Sequence, residues 1–177
     1  MQYTLCTAFF HCYHMEIKKA TTDDIEAIQQ LAATIWPVAY KEILRKEQLD
    51  YMLQKFYSVE ALKDQMLTKG HQFYLLVNEH KDNIGFASVS MEDKLTFKLQ
   101  KLYILPQQQG KNLGKMLLNK VIQYCNEKGG KSLILNVNRY NKARFFYEKC
   151  GFEIIEEIDI AIGNNYFMND YVMKLNL

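Results

Sequence analysis

Only two prolines and eight glycines punctuate the 177 residues, so no linker, low-complexity tract or internal repeat divides the chain. Charge of one sign is missing too: a formal net charge of +2 is too small a field to argue for nucleic acid or an anionic membrane as partner. No apolar run reaches the length of a bilayer crossing. The four cysteines, Cys6, Cys12, Cys125 and Cys150, form no C-x-x-C pair, and two of them fall within helical patterns. That is the usage of a reduced, cytoplasmic protein and not of a disulfide scaffold. What the chain does have is 49% hydrophobic and 13% aromatic residues, enough for one well-buried core but not for two.

Residues 1–14, MQYTLCTAFFHCYH, are aromatic and almost uncharged, unlike the rest of the chain, and we separate them as an N-terminal extension from one domain spanning residues 15–177. They lack the basic start and small-residue cleavage site of a signal peptide. Cys6, His11, Cys12 and His14 have no familiar zinc spacing, so no metal is expected. Two readings of the extension stay open: Met15 is the natural start, or the segment is an arm packed on the surface.

From Met15 the pattern alternates between strand and helix periods. A short strand at Ile17 to Ala20 leads to a helix capped by Asp23, with Ile25, Ile28, Leu31, Ala32 and Ile35 on one face and a stop expected at Trp36-Pro37. An aromatic-rich helix is expected from Val38 to Tyr57, and a third, capped by Ser58, ends at Gly70. Strands at Gln72 to Glu79, Ile84 to Met91 and Leu95 to Leu105 come next. After a central helix closed by Gly129-Gly130 come a strand at Ser132 to Val137, a short helix at Asn141 to Lys149, and two strands, Phe152 to Ile160 and Phe167 to Leu175. The order defines a mixed α/β domain.

The segment Lys101 to Lys120, KLYILPQQQGKNLGKMLLNK, reads as strand, glycine-bearing turn and helix N-terminus, the combination that gathers backbone N–H groups and the positive end of a helix dipole around an anion. A phosphate is the natural guest. The spacing is not that of a P-loop, because three residues and not four separate Gly110 from Gly114, and Met116 follows Lys115. Nor is it G-x-G-x-x-G. One strand after the central helix stands a second segment, Asn141-Lys142-Ala143-Arg144-Phe145-Phe146-Tyr147-Glu148-Lys149-Cys150-Gly151-Phe152.

Together these segments resemble the GCN5-related N-acetyltransferase (GNAT) superfamily. The first is similar to its acyl-CoA loop, Gln/Arg-x-x-Gly-x-Gly/Ala, over Gln109 to Gly114, with Asn112 where the pattern has its first glycine; Asn tolerates a left-handed backbone better than other side chains. The second matches an N-x-A-x-x-F-Y-x-K-x-G-F segment residue for residue. The resemblance covers most of the chain from Met15 onward and implies a mostly antiparallel, twisted mixed sheet of six to seven strands, with helices on both faces and a splayed central strand pair. Acetyl-CoA is the implied co-substrate, with no metal. Its pantetheine arm would lie along Leu102, Tyr103 and Ile104, its pyrophosphate in the turn Gln109, Gly110, Lys111, Asn112, Leu113, Gly114 and Lys115, and Asn141 would bond the pantetheine.

The resemblance further implies transfer of the acetyl group to a primary amine of a small molecule, with Tyr147 as general acid for the departing thiolate and a backbone N–H of the splayed strand polarising the carbonyl. Polyamines are the first candidate acceptors, through a looser likeness of the first helices and last strand to bacterial PaiA-type polyamine acetyltransferases. Trp36, Tyr40 and Tyr166 are candidate cleft walls, and Glu42, Glu47 and Asp50 candidate attractors of a polycation. No carboxylate stands on the strand before the loop; a chain of waters, Glu92, Asp93 and a C-terminal residue such as Asp170 are weighed as the base without one being chosen. Acetylation of a protein terminus or lysine, and a non-catalytic acyl-CoA-binding module, are the competing functions. A monomer or homodimer is expected.

Overall fold

The computed structural model describes residues 15–177. Seven strands form one sheet in the order β1-β2-β3-β4-β5-β7-β6: β1 Glu16–Lys19, β2 Gln72–Val77, β3 Asn83–Met91, β4 Thr96–Ile104, β5 Ser132–Asn138, β6 Glu153–Gly163 and β7 Tyr166–Asn176. All neighbours are antiparallel except β4 and β5. Helices α1 Ile25–Ala39, α2 Lys46–Tyr57 and α3 Val59–Leu67 cover one face. Helices α4 Leu113–Glu127 and α5 Ala143–Lys149 lie on the other. This is the α/β GNAT architecture that the motifs imply.

Each face has its own apolar layer. Leu117, Leu118, Val121 and Cys125 of α4 pack on Phe97, Leu99 and Leu133, while Ile28, Leu31, Ala32 and Ile35 of α1 pack on Phe73, Leu75 and Phe86. Fully burying one such aliphatic side chain contributes about 1.5–3 kcal/mol, and these two layers hold the sheet rigid beneath the site.

Three local expectations change. Helix α1 runs through Pro37 to Ala39 instead of stopping before it; the missing N–H costs only one bond near the helix end, and the last turn is held by Tyr40 N–H donating to the Trp36 carbonyl at 3.0 Å and by the buried indole. The start of α1 is shaped by Thr21 and not by Asp23: Thr21 Oγ1 accepts from the Asp23 N–H, and Asp24 accepts from the Thr21 N–H in return. The expected single helix from Val38 to Tyr57 is broken by a turn at Tyr40 to Leu44 before α2 begins. Ser58 does cap α3, accepting from the Ala61 N–H at 3.2 Å.

Two irregularities of β4 create the site. Its parallel pairing with β5 extends only from Thr96↔Ser132 to Leu99↔Leu135, after which β4 continues to Ile104 without a neighbour on that side. This is the splayed pair. Against β3 the register shifts between Ser88↔Lys101 and Val89↔Leu99, leaving Gln100 as an extra, bulged residue. The bulge inverts the strand's alternation: Phe97 and Leu99 face the α4 layer before it and Leu102 and Ile104 after it, so that Lys101 and Tyr103 join the opposite face.

Candidate active site

On the α4 side of the splay lies a cavity of about 700 Å³. Its walls include Leu102, Tyr103 and Ile104 of β4, Gln109, Gly110, Asn112, Leu113, Gly114 and Lys115 of the turn and α4, and Asn141 and Tyr147. Lys111 is not on the wall; its ammonium turns to Gln108 Oε1 at 2.8 Å. Lys142 and Lys149 are on it, two cations inside the second motif that the motif match alone did not single out.

The turn is left-handed at two positions. Gly110 has φ of +79° and Asn112 has φ of 60°, both left-handed, and Asn112 is the residue from which α4 starts. The first intrahelical bond runs from the Met116 N–H to the Asn112 carbonyl at 3.0 Å, which leaves the N–H groups of Leu113, Gly114 and Lys115 without helical acceptors at the cavity edge. Free amides, a helix N-terminus and the Lys115 ammonium fit a pyrophosphate.

Tyr147 is 8% exposed, and its ring packs edge-on against Phe146 and Phe152. Burial pushes its phenol well above the ordinary 10.0, so it holds its proton at neutral pH. Asn141 Oδ1 accepts from the Ala143 N–H at 2.9 Å, which fixes the residue at the entrance to α5.

A second, smaller cavity of about 200 Å³ opens on the α1–α2 side. Helices supply an apolar wall that includes Trp36, Tyr40, Phe56 and Tyr57; the sheet supplies a polar one, Lys98, Gln100, Lys101, Asn136, Asn138 and Asp170. Trp36 and Tyr40 are therefore cleft walls, whereas Tyr166 packs on Tyr51 with ring centroids 5.5 Å apart and leaves the wall to Phe167 and Met168. Glu42, Glu47 and Asp50 are exposed outside it, Asp50 paired with Lys46. Glu92 accepts from Ser90 Oγ and Asp93 from the Leu95 and Thr96 N–H groups, and neither reaches the cavity.

Asp170 is the carboxylate that does line it. Strand β7 places it opposite Asn138, 5% exposed, and burial raises its pKa above the ordinary 3.8 against the opposing pull of Asn136, Lys98 and Arg139. Of the three carboxylates weighed from the sequence, strand pairing brings only this one to the cavity. Tyr103 is common to both cavities, with its hydroxyl 3.1 Å from that of Tyr40. Among the described residues no group of three or more His, Cys, Asp or Glu side chains is placed to hold a metal, and no helix is long and apolar enough to cross a membrane. The Cys6, His11, Cys12 and His14 cluster lies outside the described residues.

A sheet opened between two parallel strands, with a helix start prepared for phosphate at the mouth of the gap, has the form of an acetyltransferase's acyl-CoA cleft. Residues 40–166 match the model of the acetyltransferase (GNAT) domain, and the chain belongs to that family. It is 28% identical over 158 residues to the spermidine N(1)-acetyltransferase of Thermoplasma acidophilum, an overlap of 87% of this chain and 95% of that one. The PaiA N-acetyltransferase of the same organism, solved in complex with coenzyme A, superposes with a TM-score of 0.77 at 25% identity over 93% of this chain and 99% of its own. Over 90 residues, 50% of this chain and 57% of the relative, it is 43% identical to the ribosomal protein bS18-alanine N-acetyltransferase of Haemophilus influenzae. The protein is an acetyl-CoA-dependent N-acetyltransferase with acetyl-CoA as co-substrate.

Proposed function

We propose that this acetyltransferase moves the acetyl group directly from acetyl-CoA to the primary amine of a small molecule, with Tyr147 as general acid and Asp170 as general base. The observation that carries this reading is the pair of cavities meeting at Tyr103, one shaped for the pantetheine and pyrophosphate and the other for a compact acceptor. Acetyl-CoA lies along Leu102 to Ile104, with its phosphates at the Gln109 to Lys115 turn, Lys111 adding charge from outside the wall, and its pantetheine against Asn141.

The amine arrives protonated and must lose a proton before it can attack. Asp170, raised by burial, is a stronger base than an exposed carboxylate and takes that proton. The nitrogen forms a bond to the thioester carbonyl carbon, a β4 backbone N–H receives the charge that builds on the oxygen, the carbon–sulfur bond breaks, the Tyr147 hydroxyl protonates the thiolate, and the second proton that the nitrogen sheds as the amide forms restores the phenol. The spermidine-acetylating relative supports polyamines as acceptors to assay. The small volume of the second cavity favours a free small molecule over a protein terminus, the acceptor that the bS18-alanine relative's name describes. Release of CoA thiol from acetyl-CoA tests the reading: release that depends on an added amine and is lost in Tyr147→Phe supports it, and amine-independent release or none refutes it.

A further inference from the structure

The bulge at Gln100 has a chemical consequence in the acceptor cavity. In an unbroken strand Lys98 and Lys101 would project to opposite faces; the extra residue between them puts both on the wall of the same cavity. Neither has a carboxylate within 4.0 Å among the described residues. The Lys101 ammonium is held by a neutral group, Gln65 Oε1 at 2.7 Å, and lies over the rings of Tyr57 and Phe73 at 5.2 and 5.6 Å. Gln65 is itself pinned, donating to the Phe56 carbonyl at 2.9 Å. The lysine is thus fixed in place without a counter-ion, and burial lowers its pKa to about 7; a carboxylate brought beside it supplies that counter-ion and favours the protonated form.

Two more features point the same way. Trp36, on the opposite wall, has a buried indole N–H that makes no well-formed hydrogen bond among the described residues, the Tyr57 hydroxyl being its weak neighbour. The single carboxylate of the wall, Asp170, shares it with two lysines, so the cavity has more basic than acidic side chains. Such a wall is poorly suited to a polycation, which brings several ammonium groups and needs several carboxylates to receive them. It suits an acceptor that carries its own negative charge.

Resting on the acetyl-transfer reading above, we infer that the acceptor is an amino carboxylate: its amine meets Asp170, and its carboxylate is received by Lys98 and Lys101. A carboxylate paired with the two lysine ammonium groups in a partly closed cavity gains charge-assisted hydrogen bonds that the matching plain amine cannot make. The same wall repels the additional ammonium groups of a polyamine, so one arrangement both selects and rejects.

The test compares kcat/KM at pH 7 for glycine, β-alanine and γ-aminobutyrate with methylamine, ethylamine and propylamine, the amines lacking the carboxylate, and with spermidine, all at saturating acetyl-CoA. The inference expects at least one amino carboxylate to exceed both its plain amine and spermidine by tenfold or more. Lys101→Gln and, as a second variant, Lys98→Gln should each raise KM for the amino carboxylate and shrink that ratio at least several-fold, with acetyl-CoA affinity retained. Preference for spermidine or for the plain amines overturns the inference while leaving acetyl transfer intact. Release of no thiol with any amine, from protein that binds acetyl-CoA, overturns the transfer reading and this inference with it.

Discussion

The hydroxyls of Tyr40 and Tyr103 lie 3.1 Å apart, and Tyr103 belongs to the walls of both cavities. Burial raises both phenols above their ordinary range, so the pair remains neutral at physiological pH. Tyr40 comes from the end of α1, just past the turn that survives Pro37, and Tyr103 from the β4 face set by the bulge. The contact ties a helix end to the splayed strand where the two substrates must meet. Removing one hydroxyl, in Tyr103→Phe, breaks this bond and leaves the half-buried Tyr40 hydroxyl to Asn141 and the cavity. The variant should lose about 0.5–1.5 kcal/mol of stability in denaturant unfolding.

Tyr147→Phe keeps the ring that packs on Phe146 and Phe152 and removes only the proton donor. Acetyl-CoA affinity should persist while kcat falls by about 10²–10⁴-fold, the usual contribution of a positioned acid. Titration of binding beside steady-state turnover checks both halves.

Asp170 gives the reaction an acidic limb. Its pKa is raised by burial, so activity should climb as pH rises through that displaced value and the carboxylate ionises; Asp170→Asn should lose most turnover and this limb with it. The stability sign is opposite. A carboxyl group raised in the folded state stabilises the fold below its unfolded value, and that contribution is lost as pH rises through the folded one. At neutral pH the Asn variant should therefore unfold at a temperature equal to or above that of the parent.

Lys101 is pulled from 10.5 to about 7 by burial, assisted by the charge of Lys69. Below that value the fold carries a costly buried cation, and between about 7 and 10.5 the unfolded chain binds more protons than the folded one. Stability should rise with pH across that window and rise less in Lys101→Gln, as thermal unfolding at about pH 6 and about pH 9 will show.

Asn112 occupies φ of 60° where the family's loop has glycine. Asn112→Gly should match or exceed the parent in stability. Asn112→Val, which forces a branched side chain into a left-handed conformation, should lose about 1–2 kcal/mol and weaken acetyl-CoA binding.

Local signals in the sequence were strong where chemistry and backbone geometry coincide. Gly110 and Asn112 announced a left-handed turn, Ser58 a cap, and the Asn141 to Phe152 segment a helix that projects Tyr147; each depends on residues close in the chain. What stayed hidden depends on distant pairing. The alternation of Phe97 to Ile104 reads as a regular strand, and only the register against β3 reveals the bulge that turns Lys101 towards the acceptor. Asp170 looks like any acidic residue of a late strand until β7 lies beside β5 and sets it opposite Asn138. Glu42, Glu47 and Asp50 looked attractive for a polycation because of their sign, but Glu42 stands in an exposed turn, and α2 displays Glu47 and Asp50 to solvent.

The most direct test of the cleft is thermal unfolding of the purified protein with acetyl-CoA, with ATP and NAD at equal concentration as controls. At about a hundredfold excess over Kd a ligand that binds only the folded state adds about 2.7 kcal/mol, which for a chain of this size raises the midpoint by several degrees. We predict that shift with acetyl-CoA and not with the controls, and a smaller one in Asn112→Val. An unchanged midpoint with acetyl-CoA, or an equal shift with ATP and NAD, would contradict the assignment of the pantetheine and pyrophosphate to the gap beside β4.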